Sequence, residues 1–159
     1  MFDKLEEKLT PIADTLSKNK VLSAIRDGFI FTTPIVIIGS IFLLIANFPI
    51  PGYTEFMAGI FGEGWSAYLG RVTAIAFDGI ALLASASIAY AYAGEKGLNN
   101  KISAALVGMV SFLIITPQRH PDFVNVEDAE QVFSGFAFKN LGTAGIFLSM
   151  LTAIIAVQI

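Results

Sequence analysis

Residues 28–54 contain no charged side chain. A helix needs roughly 20 apolar residues to cross a hydrocarbon core about 30 Å thick, so 28–48 suffices for one span. Three more apolar runs follow, at about 72–93, 102–116 and 141–159. Hydrophobic residues make up 55% of the chain and charged residues only 14%, where soluble domains carry about 25% charged residues. A soluble fold of 159 residues has too much surface for its volume to hide that much apolar area. The pattern predicts an all-α, polytopic membrane protein with about four transmembrane helices, the lipid bilayer being its solvent.

Residues 1–27 read differently. Phe2, Leu5, Leu9, Ile12 and Leu16 recur at three- and four-residue spacing and fall on one helical face, with Asp3, Glu6, Glu7, Lys8 and Asp14 mainly elsewhere. Thr10-Pro11 has the form of an N-cap followed by proline in a first turn, so a helix is expected to restart there. The segment is too charged for a secretory signal, whose basic start runs directly into an apolar stretch. The expectation is an amphipathic interfacial helix; a helix packed on a soluble partner domain is the alternative.

The spans differ in character. The first holds Pro34 after Thr32 and Thr33. Proline leaves a carbonyl without its donor and threonine hydroxyls can repair it, so a kink is expected. Asn47 to Gly52, with Pro49 and Pro51, ends that span. The loop expected at 49–70 carries Tyr53, Phe56, Trp65 and Tyr68, residue types suited to an interfacial belt. The second span is crowded with alanine, serine and glycine, which let helix backbones approach closely in lipid. Ala104 and Gly108 form a similar pair in the third. Gly145, Ser149 and Ala153 recur every four residues in the fourth, so all five positions are expected to be helix-packing sites.

Lysine and arginine beside the spans set the expected orientation. Lys4, Lys8, Lys18, Lys20 and Arg26 precede the first span, Arg71 precedes the second, and Lys96 and Lys101 occupy the next short turn. A cytoplasmic N-terminus in a multi-pass plasma-membrane protein follows.

Few residues carry chemistry. Asp78 is the lone ionisable residue within an expected span, which makes it a weak substrate-binding candidate. The competing reading is structural: pairing with Arg71 or capping a neighbouring helix. Arg71 and the Arg26-Asp27 pair read as interface anchors. Thr32-Thr33-Pro34 fits a substrate path and helix repair equally well. His120 beside Arg119 reads as exposed loop. The chain has no cysteine and one histidine, so no metal site, cofactor or thiol chemistry is expected. The net charge of −3 is spread without a basic block, which argues against nucleic acid as a partner. No catalytic set is legible.

Ile25-Arg26-Asp27-Gly28-Phe29 through Thr33-Pro34, then Gly39 to Asn47, Ala91-Tyr92 and the polar turn after it, Leu113 to Gln118, and Asn140-Leu141-Gly142-Thr143 together resemble the IIC permeases of the bacterial sugar phosphotransferase system, of the lactose/cellobiose (diacetylchitobiose) type. The resemblance covers essentially the whole chain as ordered linear similarity. It implies a homodimeric permease for a β-linked disaccharide such as cellobiose, which is phosphorylated by a cytoplasmic IIB partner. It also implies that the family's reactive histidine and glutamate lie in a C-terminal half beyond this sequence. His120 does not match that histidine, so no catalytic residue is carried over, and the chain by itself is not expected to be an enzyme.

The resemblance makes this chain the N-terminal scaffold and dimerisation part of such a permease. The nineteen residues from Leu141 barely cross the core and no lysine or arginine follows them, which fits a fragment of a longer protein. The alternative is a self-contained four-helix membrane protein with a structural or assembly role. The DNA downstream of codon 159 discriminates the two.

Overall fold

The computed structural model describes residues 18–116 and 138–158. The expected interfacial helix over residues 1–17, the loop around His120 and the final residue lie outside them. All regular structure among the described residues is helical: α1 (Lys20–Ala46), α2 (Tyr53–Phe61), α3 (Trp65–Asp78), α4 (Ile80–Glu95), α5 (Lys101–Ile115), two 3-10 turns (Phe138–Leu141 and Thr143–Gly145) and α6 (Ile146–Ala156).

The first helix starts earlier than the apolar run. The Asn19 side chain accepts from the Val21 and Leu22 amides at 2.9 and 3.4 Å, two of the donors that a helix start leaves without partners. One helix of 27 residues therefore takes in residues 20–27, which the sequence reading had assigned to the amphipathic segment. At 1.5 Å per residue it is about 40 Å long, longer than the hydrocarbon core, so its polar first turns stand beyond the apolar stretch. It continues through Pro34 as a single element. The Thr32 and Thr33 hydroxyls both donate to the Phe29 carbonyl, at 2.9 and 3.1 Å, and not to the Ile30 carbonyl that Pro34 leaves without its usual donor.

The expected second span is two helices. α3 and α4 meet at a 45° bend where Asp78 closes one and Gly79 opens the other. A β-carbon on Gly79 would sit 2.8 Å from the Ile75 carbonyl oxygen, closer than real β-carbons come, so glycine permits the bend. The expected loop at 49–70 is also largely helical. Tyr53, Phe56, Met57, Ile60 and Phe61 follow the three-and-four spacing of a helix, and Gly52 and Gly62, at φ of 81° and 87°, turn the chain at either end of α2. Here the aromatics hold one another: Tyr53 lies 5.6 Å from Phe48 and 5.8 Å from Trp65 between ring centroids.

Where a third span was expected over 102–116, the helix α5 runs from Lys101 to Ile115. The helix expected from Leu141, α6, begins at Ile146, because residues 138–145 form two 3-10 turns with Gly142 between them and Gly145 closing the second. By length and composition α1 can cross a membrane, the bent α3–α4 pair forms a second candidate, and α5 and 143–156 are shorter apolar helices.

Packing is inverted relative to a soluble core. The fully buried positions are mainly small: Ala24, Ala81, Ala84, Ser85, Ala89, Ala93, Ser149 and Ala153. Large apolar side chains point outward, among them Ile75, Ile114 and Phe147. α4 is the hub, packing against α1, α5 and α6, while α5 and α6 also pack together and α1 runs against α3.

Candidate functional site

One closely packed part of the fold is where α4, α5 and α6 meet. A β-carbon on Gly108 of α5 would come within 2.5 Å of the Ala89 β-carbon and 3.0 Å of the Ser85 carbonyl oxygen, with the Ala153 Cα of α6 at 3.8 Å. Ser149 and Ala153 are fully buried, and Ala104, one turn before Gly108, is half-buried. Ser149 satisfies its hydroxyl by donating to the Ile146 carbonyl at 2.7 Å, so a polar side chain sits in the seam without an orphaned group. Phe147, two residues before Ser149, is 84% exposed.

Gly145 occupies a different setting from the rest of its stripe. It precedes α6, and a β-carbon there would run into the Asn140 carbonyl oxygen as well as meeting Ala81 and Phe112 at 3.1 Å. Part of its constraint is therefore the chain folding back on itself.

Two close approaches are missing from the sequence reading. A β-carbon on Gly28 would strike the Ile88 backbone of α4, and one on Gly39 would come within 2.5 Å of the Ala76 β-carbon of α3. Ala24, Gly28, Thr32 and Gly39 are the buried residues of α1, at spacings of four, four and seven. That stripe was available in the sequence, but it lay hidden among large apolar residues.

Asp78 is exposed at the bend. Among the described residues it forms neither an ion pair with Arg71 nor a helix cap. Arg71 instead lies 5.6 Å from the centre of the Tyr68 ring. What meets the bend is the turn before α6: a β-carbon on Gly142 would be 3.2 Å from the Asp78 Cα and 3.3 Å from the Phe77 carbonyl oxygen. Bend and turn fit each other through backbone, with no side chain between them.

Polar groups gather at the opposite end of α4. The Ser23 hydroxyl donates to Glu95 Oε1 at 2.9 Å, tying α1 to α4, and Arg26 pairs with Asp27 at 2.8 Å. Asp27, Glu95 and Lys101, together with Phe31 and Tyr90, line a cavity of about 320 Å³. Among the described residues no group of three or more His, Cys, Asp or Glu gathers to hold a metal ion.

Helices with small residues inside and large apolar residues outside, packed by direct backbone approach, define a helical membrane protein. The class is narrowed by comparison with known proteins. Residues 26–159 match the family described as phosphotransferase system, EIIC, and the chain belongs to that family of membrane sugar-permease components. It is 39% identical over 156 residues to the lichenan permease IIC component of Bacillus subtilis, covering 98% of this chain and 34% of that protein. It is 37% identical over 158 residues to the cellobiose-specific EIIC component of Geobacillus stearothermophilus, again covering 98% of this chain and 34% of the relative. The crystal structure of the transporter ChbC, the IIC component of the N,N'-diacetylchitobiose-specific phosphotransferase system, superposes with a TM-score of 0.83 at 35% identity, over 98% of this chain and 36% of that one. The chain thus spans about a third of the length of the relatives it matches, corresponding to their N-terminal part.

Proposed function

We propose that the chain is the N-terminal scaffold and dimerisation part of a permease that carries β-linked disaccharides of the cellobiose type across the bacterial plasma membrane, with coupled phosphorylation by a IIB partner. The observation that carries this reading is the continuous match to cellobiose and lichenan permease components along 98% of the chain, at a TM-score of 0.83 to a diacetylchitobiose transporter. The close-packed α4–α5–α6 seam supports a scaffold role, since a bundle held by backbone approach is a rigid platform for the parts that move. By itself the chain neither transports nor phosphorylates sugar, and no catalytic residue is assigned to it.

A chimera tests this. The chain replaces the matching N-terminal third of the Geobacillus cellobiose-specific component in a host that lacks its own cellobiose permease. Phosphorylation-coupled cellobiose uptake is the expected result; a chimera that inserts normally but takes up no cellobiose overturns the reading. Topology is tested separately with single cysteines in the 49–52 turn and the 96–100 turn. The first is expected to label from outside and the second from the cytoplasm. Labelling of both from one side refutes the multi-pass arrangement with a cytoplasmic N-terminus.

A further inference from the structure

The two halves of α1 are tied to different helices. The first half is tied to α4. The Ser23 hydroxyl donates to Glu95 Oε1 at 2.9 Å, Gly28 lies against the Ile88 backbone, and the Phe31 and Tyr90 rings meet edge to face at 6.0 Å between centroids. The second half is tied to α2 and α3 instead. Gly39 lies against Ala76 and Phe77 of α3. The Thr73 hydroxyl, which donates to Leu69 in its own helix, also comes within 3.5 Å of the Gly39 carbonyl oxygen. The Tyr53 hydroxyl of α2 donates to the Ile45 carbonyl at 2.9 Å. The first half of α1 thus goes with α4, α5 and α6, and the second half goes with α2 and α3.

Within residues 20–116 the chain passes between these two bodies twice, and each passage is a weak place in the backbone. The first is at Pro34, six residues after Gly28 and five before Gly39. Proline has no amide hydrogen, and the Thr32 and Thr33 hydroxyls both go to Phe29, so the bond from residue 34 to the Ile30 carbonyl is missing. The second is at Gly79, where α3 ends and α4 begins at a 45° bend. Gly79 donates to the Ile75 carbonyl at 3.3 Å and accepts from the Leu83 amide at 3.1 Å, so one residue carries the hydrogen-bond ladder from helix to helix. Both weak places fall between the Gly28–Ile88 contact and the Gly39–Ala76 contact. The turn before α6 reaches the same level, where Gly142 packs on the Asp78 and Phe77 backbone.

We propose that Pro34 and Gly79 form a paired hinge about which α2, α3 and the second half of α1 turn as one body on the rest, with the Gly142 turn as the stop for α3. A single weak place in one of two packed helices would pull them apart when it bent. Weak places in both let the two helices bend together. The close contacts survive the motion because each joins segments of one body: Gly28 with Ile88 on one side, Gly39 with Ala76 on the other.

Electron spin distance measurements on the purified chain in lipid nanodiscs test the hinge. The sequence has no cysteine, so paired cysteines carry labels at chosen sites alone. Ser66 with Ile102 spans the hinge, Ile37 with Ser66 lies within one body, and Ile102 with Phe147 lies within the other; all four positions are exposed. Ser66 is about 20 Å from Gly79 along α3 at 1.5 Å per residue. A swing of about 20°, the size of a sharp helix kink, moves it about 7 Å. The hinge-spanning distances are therefore expected to spread about 7 Å more widely than those within either body. Gly79→Ala puts a β-carbon 2.8 Å from the Ile75 carbonyl oxygen in the bent form, so it favours a continuous helix and is expected to narrow that spread. Pro34→Ala returns the missing amide and is expected to narrow it too. Misfolding would broaden all three pairs, whereas stiffening narrows one. A parent protein whose hinge-spanning distances are as narrow as the others overturns the proposal, as does a spread that neither substitution narrows. Broad distances for all three pairs refute the division into two bodies.

Discussion

The bundle of α4, α5 and α6 and the arm of α2 and α3 solve the same problem in opposite ways. Half of α4's 16 residues are buried, and most of those eight are alanine or serine. In α2 no residue is buried, and in α3 only Trp65 and Ala76 are. The bundle is held by backbones that nearly touch, so every atom added at its seam must displace something. In the arm, α2 is held by a few aromatic contacts and by the Tyr53 hydroxyl, which donates to the Ile45 carbonyl of α1 at 2.9 Å, while α3 meets α1 closely where Gly39 faces Ala76. Tightness in this protein follows the absence of side-chain bulk, as expected where lipid removes the hydrophobic drive to bury large residues.

The largest test of this contrast is at two glycines. Gly108→Leu forces a side chain between α4, α5 and α6, and overpacking of this kind costs about 1–3 kcal/mol, at the upper end where backbone is the obstacle. Gly59→Leu in α2 meets nothing within 4 Å. Thermal melting in detergent is expected to fall clearly for the first and to stay near the parent value for the second. Equal losses would erase the distinction between bundle and arm.

Within α6 the contrast is drawn at neighbouring positions. Ser149→Leu introduces bulk at a fully buried site, whereas Phe147→Leu alters a side chain that is 84% exposed. Ser149→Leu is expected to cost about 1–3 kcal/mol, seen as a lowered melting temperature or loss of assembly in a full-length permease, and Phe147→Leu far less. Gly145→Leu is expected to be damaging too, through the Asn140 carbonyl as much as through α4. If Ser149→Leu and Gly145→Leu both melt and assemble like the parent, this stripe faces lipid instead.

The smallest effect sharpens the description of the arm. Tyr53→Phe removes one hydroxyl bond at an exposed site, a loss of about 0.5 kcal/mol. It is expected to speed hydrogen exchange in α2 while leaving α4 to α6 unchanged. Faster exchange throughout would mean that arm and bundle open as one unit.

Some of this was legible in residue order. Gly108, Ser149 and Ala153 sit at helical spacing in apolar runs, and the chain places all three at buried positions. Gly28 and Gly39 follow an equally regular spacing, but the isoleucines and phenylalanines between them dominate α1 and masked it. The helix at 53–61 carried its own three-and-four periodicity, hidden by the prolines and glycines that flank it. Asp78 stood out as a charge within an apolar run, which identified an unusual place without revealing that a helix bends there.

The sequence alone determined that this chain is a bundle of membrane helices and roughly where each apolar run lies. Charge exclusion from lipid and the helical repeat act over a few turns, so they are written locally. Linear similarity along the chain likewise sufficed to place it among the phosphotransferase permease components. Only the tertiary structure decided the bend at Asp78 and Gly79, where the Gly142 backbone fits against it, and the cavity between Glu95 and Lys101. Those features depend on which residues meet across 64 positions in one case and across a helical hairpin packed on α1 in the other. No local pattern encodes such a meeting, because the partner that makes each position special lies on another element.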